Sequence, residues 1–317
     1  MSTQRVIAVD LGGTKLLGGI VDREGVVVER LVRPTEVRSQ EALLAELEGL
    51  IGELLGDGVG AIGLGIPSTI DQRAGRAIAS VNIPLGELSI RDHLRYRFGL
   101  PTAIENDANA ATLAEHRLGA GRGTSHMILL TLGTGIGGGI IVDGELDRGA
   151  VGAGGELGHM TIDVDGPPCQ GNCPGRGHLE ALASGTAADR LAKKIAQDRP
   201  DGNLGKAAAG GARVDAKLAV ELAAQGPGDA REVIETIGFY LGVGIASLVN
   251  VFNPELVVLG GGFARAGDLL FEPARRVVAE RALAPARDLV HLVPAVLGVE
   301  AGLIGAGLVG FEALDGS

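Results

Sequence analysis

The chain has no tryptophan, two tyrosines and six phenylalanines, so aromatics make up 3% of its 317 residues. That leaves few flat platforms on which unpaired bases could stack. Positive charge is also short: 28 Lys and Arg against 39 Asp and Glu give a formal net charge of -11. Such a surface repels phosphate backbones and anionic lipids, which sets nucleic acid and membrane aside as default partners. No run approaches the roughly 18 uninterrupted apolar residues of a membrane span. Met1–Arg5 leads directly into the strand-like Val6–Asp10 with no apolar signal region, and a cytoplasmic location is the expectation. Two cysteines, Cys169 and Cys173, are too few for a disulfide framework and raise the question of metal binding instead.

Apolar residues are plentiful, at 45%. A single core stops growing near about 250 residues, so two domains or lobes are expected. The first thirty residues read as paired strands: Val6–Asp10 and Leu16–Val21 flank Gly12-Gly13, and Val26–Val32 follows Arg23-Glu24-Gly25. Ser39–Gly56 carries Leu43, Leu44, Leu47, Leu50, Ile51, Leu54 and Leu55 at helical spacing, with Ser39 as N-cap and Gly56 as stop. Val59–Ile66 is a short apolar run ended by Pro67. A loop-rich stretch to Ser89, a helix near Ile90–Phe98 and a strand at Thr102–Glu105 follow. Asn106 and Asp107 then stand where that strand hands over to a helix, Ala108–Leu118, and open α/β sheets bind ligands at such carboxyl ends. Met127–Leu132 and Gly138–Val142 repeat the opening hairpin about 121 positions later, which suggests duplication of one unit. Helical stretches around Leu179–Gln197, Asp215–Ala224 and Asp229–Asn250, a strand Leu256–Leu259 and a last helix from near Gly302 complete an α/β alternation.

Five clusters carry chemistry. Asp10-Leu11-Gly12-Gly13-Thr14-Lys15 places a carboxylate at a strand end beside bare backbone amides, a hydroxyl and an ammonium, the components that phosphate and Mg²⁺ binding need. Alone it also reads as an ordinary hairpin turn. Thr131–Gly139 puts five glycines in nine positions after an apolar strand, which is costly unless the backbone takes special angles or touches a ligand. Gly260-Gly261-Gly262 is a third glycine loop, suited either to lying flat against an adenine or to a plain helix entry. Asn106-Asp107 is either a helix cap or, beside two phosphate loops, a hydroxyl-binding amide and the carboxylate that accepts a proton in phosphoryl transfer. The fifth cluster, His159, Cys169, Cys173 and His178, gathers two thiols and two imidazoles within twenty residues, as structural Zn²⁺ requires. Free cysteines near unrelated histidines are the alternative.

Taken in order, these motifs resemble the ROK family (repressors, open reading frames, kinases), and within it the sugar-kinase branch of bacterial glucokinases. The likeness runs from Asp10–Lys15 through Glu105–Ala111, Thr131–Gly139, Glu156-Leu157-Gly158-His159 and Cys169–Glu180 to Gly260–Gly262. It implies an α/β, actin-like ATPase (ribonuclease H-like) duplicated fold with two lobes around a cleft. The small N-terminal lobe would be residues 1–119 with about 300–317, and the large lobe 120–299 with a zinc knuckle at 159–178. It implies that Asp10, Gly12, Gly13, Thr14 and Lys15 form one phosphate loop, Thr131, Gly133, Thr134 and Gly135 the other, and Gly260, Gly261 and Gly262 the adenosine contact. Asp107 would be the catalytic base. Asn82, Asn106, Glu156, His159 and Glu180 would hold the sugar, and His159 would also ligate zinc through its other ring nitrogen. The family pattern is commonly Cys-x-Cys-Gly-x-x-Gly-Cys-x-Glu; here three residues separate the cysteines and His178 stands in place of the last one, giving a Cys₂His₂ set.

The expected activity is transfer of the γ-phosphoryl group of Mg-ATP to the 6-hydroxyl of a hexose, with glucose first. Another hexose (N-acetylmannosamine, N-acetylglucosamine, mannose or fructose) or a polyphosphate donor is the alternative within the family. A sugar-responsive regulator is the alternative from another class, disfavoured by the acidic balance and by only nine residues ahead of Asp10. Similar proteins imply a homo-oligomer, dimer or tetramer.

Overall fold

The computed structural model describes residues 4–80, 83–86 and 88–316; Asn82 lies outside them. The chain divides into two units: residues up to 123, 139–155 and from 296 onward form the first, 124–138 and 156–295 the second.

The opening meander is β1 (Arg5–Leu11), β2 (Lys15–Asp22) and β3 (Val27–Pro34). Pairing of Leu11 with Leu16 leaves Gly12–Thr14 as the tip, closed by the Gly12 N–H donating to the Lys15 carbonyl at 2.9 Å. Ser39 caps α1 (Gln40–Leu54) by accepting the Ala42 N–H, and Leu43, Leu47, Leu50, Ile51 and Leu54 form its buried stripe. Beyond it run β4 (Val59–Ile66), β5 (Ser68–Asp71), β6 (Arg76–Ser80), α2 (Ile90–Phe98), β7 (Thr102–Asn106) and α3 (Asp107–Arg117). The β5–β6 hairpin occupies part of the stretch that the sequence leaves as loop. Asp71 makes its turn, with Oδ1 accepting the N–H groups of Arg73 and Ala74.

The second half follows as β8 (Met127–Leu132), β9 (Ile136–Val142), the two-residue β10 (Glu145–Leu146), α4 (Leu179–Ala183), α5 (Gly185–Asp198), α6 (Asn203–Ala209), α7 (Ala216–Ala223) and α8 (Asp229–Phe252). Then come β11 (Leu256–Gly260), α9 (Asp268–Arg281), α10 (Ala286–Leu289), β12 (His291–Pro294) and α11 (Ala301–Asp315). The single helix expected over Leu179–Gln197 is two. Ser184 ends α4 and its hydroxyl accepts the Ala187 N–H at the start of α5, a serine cap hidden inside an alanine-rich run.

Two five-stranded sheets result, ordered β3-β2-β1-β4-β7 and β10-β9-β8-β11-β12. In each the first strand of the opening hairpin sits third and carries parallel partners on its far side: β4 beside β1, and β11 beside β8. This repeated pattern is that of the actin-like ATPase fold. In the first unit β1 is buried on both faces, as a central strand must be. Ile7, Val9 and Leu11 join the α1 cluster, while Val6 and Ala8 meet Leu303, Ala306 and Phe311 of α11. A Cβ on Gly63 would overlap the Ala306 carbonyl, so β4 and α11 touch backbone to backbone. In the second unit α8 is the one helix among the described residues long and apolar enough to cross a membrane, but 61% of that window is buried, which makes it the unit's core helix.

One boundary needs correcting: 139–155, expected in the large lobe, belongs to the first unit. Gly139 lies where a Cβ would overlap the Thr112 side chain, and the Arg148 guanidinium reaches Glu105 at 2.6 Å. Those contacts outweigh the sequence continuity with β8.

Candidate active site

Within the first unit, Asp10 is the next-to-last residue of β1 and Asp107 opens α3. Burial, then the nearby Asp107 charge, pushes the Asp10 carboxyl up from 3.8 to about 6, with Lys15 pulling the other way. A buried carboxyl raised in part by a neighbouring aspartate favours a divalent cation as counter-ion. The Asp10 carboxylate also lies against the first turn of α11, 2.7 Å from where a Cβ on Gly302 would stand, so a side chain there would push the carboxylate aside. Asp107 Oδ1 accepts the Ala108 N–H at 2.8 Å, which fixes its rotamer. The first glycine loop is pinned by the Thr35 hydroxyl donating to the Gly12 carbonyl at 2.6 Å.

Asn106 is the N-cap of α3: its Oδ1 accepts the Asn109 N–H at 3.0 Å, and its Nδ2 donates to the Ser68 carbonyl at 3.3 Å. Beneath it, Glu105 is 2% exposed. Glu105 Oε1 accepts the N–H of Asn106 and an amide hydrogen of Asn109, while Oε2 pairs with Arg148 and meets Gln72 Nε2 at 3.4 Å. This buried, fully engaged carboxylate sets the strand-to-helix corner on which Asp107 stands.

In the second unit, β8 and β11 run side by side with Thr131 in register with Gly260, so the second and third glycine loops are neighbours. Gly261 has φ +85° and sits on the Leu132 backbone, a position closed to any side chain. The reason for glycine at Gly135 and Gly138 is different, because neither has a left-handed φ. A Cβ on Gly135 would overlap Glu180 Oε2, and one on Gly138 would meet Leu157 at 2.8 Å. Close approach, not special angles, is what those two positions demand. Glu180 Oε2 accepts the Ile136 N–H at 2.8 Å.

Glu156 precedes a 3₁₀ turn, Leu157–His159, which aims His159 Nδ1 at the cysteine knuckle while Nε2 lies 4.0 Å from Glu156. The knuckle is a tight turn, with Gly171 at φ +59° and the Cys173 N–H reaching the Gln170 carbonyl. His159 Nδ1 is 3.3 Å from His178 Nδ1 and 3.6 Å from Cys169 Sγ, and Cys173 Sγ is 3.6 Å from His178 Nδ1. Tetrahedral zinc with bonds of about 2.05 Å to nitrogen and 2.3 Å to sulfur places ligand atoms about 3.3 Å (N to N) and 3.6 Å (N to S) apart. The four donors lie within 4.8 Å of one another, and the three separations just given match those edges, so they fit the ion. Burial pushes the Cys169 thiol up to about 11, and a bound dication would offset this.

The family model of the ROK family matches residues 6–310. The chain belongs to the ROK family. Among its ROK relatives, the glucokinase of Thermotoga maritima is 36% identical over the whole of both chains. A putative xylose repressor of Caldicellulosiruptor sp. is 33% identical over 87% of this chain and 70% of its own. Among solved structures, the ROK family glucokinase from Streptomyces griseus in complex with glucose and AMPPNP has a TM-score of 0.83. It is 33% identical to this chain over 97% of it and 99% of that protein.

For this ROK protein the structure brings Asp10 and the first glycine loop together with Asp107 in one unit. It brings the second and third glycine loops, Glu156, His159, Glu180 and the knuckle together in the other. Sequence reasoning assigned no role to Glu105, Arg148, Gln72 or Gln170. Glu105 stood inside the Glu105–Ala111 motif and could have been found there; Arg148 reaches it only through folding.

Proposed function

We propose that this chain is an ATP-dependent glucose kinase that transfers the γ-phosphoryl group of ATP to the 6-hydroxyl of the sugar. The observation that carries the reading is the Asp10–Asp107 pair beside the first glycine loop, in a chain similar over its full length to a glucokinase. The glucose and AMPPNP held by the Streptomyces griseus relative support the substrate and donor.

Asp107, held in one rotamer by the Ala108 N–H, accepts the proton of the sugar hydroxyl as the hydroxyl oxygen bonds to the γ-phosphorus and the bond from that phosphorus to the β-phosphate oxygen breaks. Gly12 shapes the turn so that the Gly13 N–H, the Thr14 hydroxyl and Lys15 hold phosphate oxygens, and Thr131, Gly133, Thr134 and Gly135 form the second phosphate loop. Gly260, Gly261 and Gly262 receive the adenosine. Asn82, Asn106, Glu156, His159 and Glu180 bind sugar hydroxyls. Asp10 would hold Mg²⁺, which when bound spreads the negative charge developing on the transferred group. His159, Cys169, Cys173 and His178 would hold a structural Zn²⁺; four protein ligands leave it no open position for catalysis. The two units enter the proposal as a small lobe and a large lobe, the first now including 139–155. A cytoplasmic location and a homo-oligomeric state complete the reading.

The test is an ADP-release assay across a hexose panel with ATP and with polyphosphate. Turnover on glucose with ATP is expected. Preference for an acetamido sugar or another hexose would move the substrate within the family, and absence of turnover on every sugar would favour the regulator reading that the xylose-repressor relative keeps in view.

A further inference from the structure

The second glycine loop is held by a chain of hydrogen bonds that leads back to the cysteine knuckle. Glu180 Oε2 takes the Ile136 N–H at 2.8 Å, and the Gly133 carbonyl takes the Gly185 N–H at 2.9 Å. Between these two anchors sits Gln170, the residue after Cys169. Its Nε2 donates to the Glu180 carbonyl at 3.3 Å and to the Ser184 hydroxyl at 2.7 Å. That same hydroxyl accepts the Ala187 N–H at 3.2 Å and so sets the start of α5, whose first residue is Gly185. One amide from the knuckle therefore fixes both the residue that holds Ile136 and the helix end that holds Gly133.

A loop that binds phosphate through backbone N–H groups works only if those groups are aimed before the ligand arrives; any freedom left in the loop must be removed on binding. Gly133, Gly135, Gly137, Gly138 and Gly139 give this loop little stiffness of its own. We propose that Gln170 and Glu180 are positioning residues that hold Thr131–Gly139 in its phosphate-binding shape, so that the order of the Cys/His knuckle sets nucleotide affinity. The proposal rests on the reading that this loop receives the nucleotide. It gives Glu180 a role besides the sugar contact and gives Gln170 its first.

The experiment measures calorimetric Kd values for AMPPNP and, separately, for glucose on the metal-loaded full chain, for wild type, Gln170→Met, Glu180→Ala and Glu180→Gln, with zinc content by mass spectrometry. Gln170→Met keeps the length of the side chain and removes its donors. It should weaken AMPPNP about tenfold, the scale of one or two lost hydrogen bonds, with glucose Kd and zinc content unchanged. Glu180→Gln keeps an oxygen for the Ile136 N–H and should bind AMPPNP better than Glu180→Ala does. In parallel, amide exchange at Ile136 should quicken about tenfold in Glu180→Ala, the cost of the same lost acceptor. Unchanged AMPPNP affinity in folded, zinc-replete Gln170→Met, or a loss confined to glucose, would overturn the proposal. If the wild type binds no AMPPNP, the functional reading fails instead, and the Ile136 exchange rates alone decide whether the strap exists.

Discussion

Replacing Asp10 by Asn should make the protein more stable and less active, and the pH dependence of the gain can be worked out. Asp10 titrates at about 6 in the folded chain against an ordinary 3.8, chiefly because it is buried and secondly because Asp107 is near. The folded state therefore holds that proton more tightly than the unfolded state does. Stability is greatest where Asp10 is protonated and falls as pH rises from about 4 to about 6, after which the loss is complete. At 1.36 kcal/mol per pH unit, the gap corresponds to about 3 kcal/mol above pH 7. Asn at position 10 keeps the shape and has no proton to lose, so its advantage over the wild type should be small at pH 4 and reach about 2–3 kcal/mol at pH 8. Urea denaturation of both proteins, without nucleotide or Mg²⁺, at pH 4, 5, 6, 7 and 8 reads this directly. A stability difference that stays flat across the series, or an Asn variant weaker than wild type at pH 8, would refute the burial and repulsion argued for this carboxyl. Turnover of the Asn variant should fall at every pH, since the group that would hold Mg²⁺ is gone.

Two further substitutions probe the supports of the site. Arg148→Met leaves Glu105 buried without its guanidinium partner and should cost about 3 kcal/mol in a denaturant melt, the low end for a broken buried pair because the Arg148 side chain is 33% exposed. It should also lower turnover by disturbing the Asn106–Asp107 corner. Purified protein should carry one zinc per chain by elemental analysis, as the four clustered donors indicate, and Cys173→Ser should lose most of that metal and melt at a lower temperature.

The elements easiest to foresee were those whose own residues state both start and stop. The meander is legible because its apolar runs break at Gly12-Gly13 and again at Gly25, which sits at φ +80°. For α1, the Ser39 cap and the five-residue apolar stripe agree. The β5–β6 hairpin was missed because four residues, Ser68–Asp71, are too few to show an alternation. The Ser184 break was missed because alanines on both sides of it propagate a helix equally well. In the site, the glycine loops were visible as composition, but their cause was not: Gly135 is glycine because of Glu180, 45 positions away. The His159, Cys169, Cys173 and His178 set could be named from spacing, since all four lie within twenty residues and one knuckle brings them together. Glu105 was visible as part of the Glu105–Ala111 motif, but the Arg148 that pairs with it was not, because its approach is a product of the tertiary fold.

The central claim is that Asp107 accepts the proton of the attacking sugar hydroxyl. The most direct measurement is the rate of ADP release with saturating ATP and glucose for wild type and Asp107→Asn, alongside glucose affinity by calorimetry. The Asn variant should bind glucose with near-normal affinity and turn over about 10²–10⁴ times more slowly, the usual contribution of a positioned base. A variant that retains wild-type turnover would contradict the account.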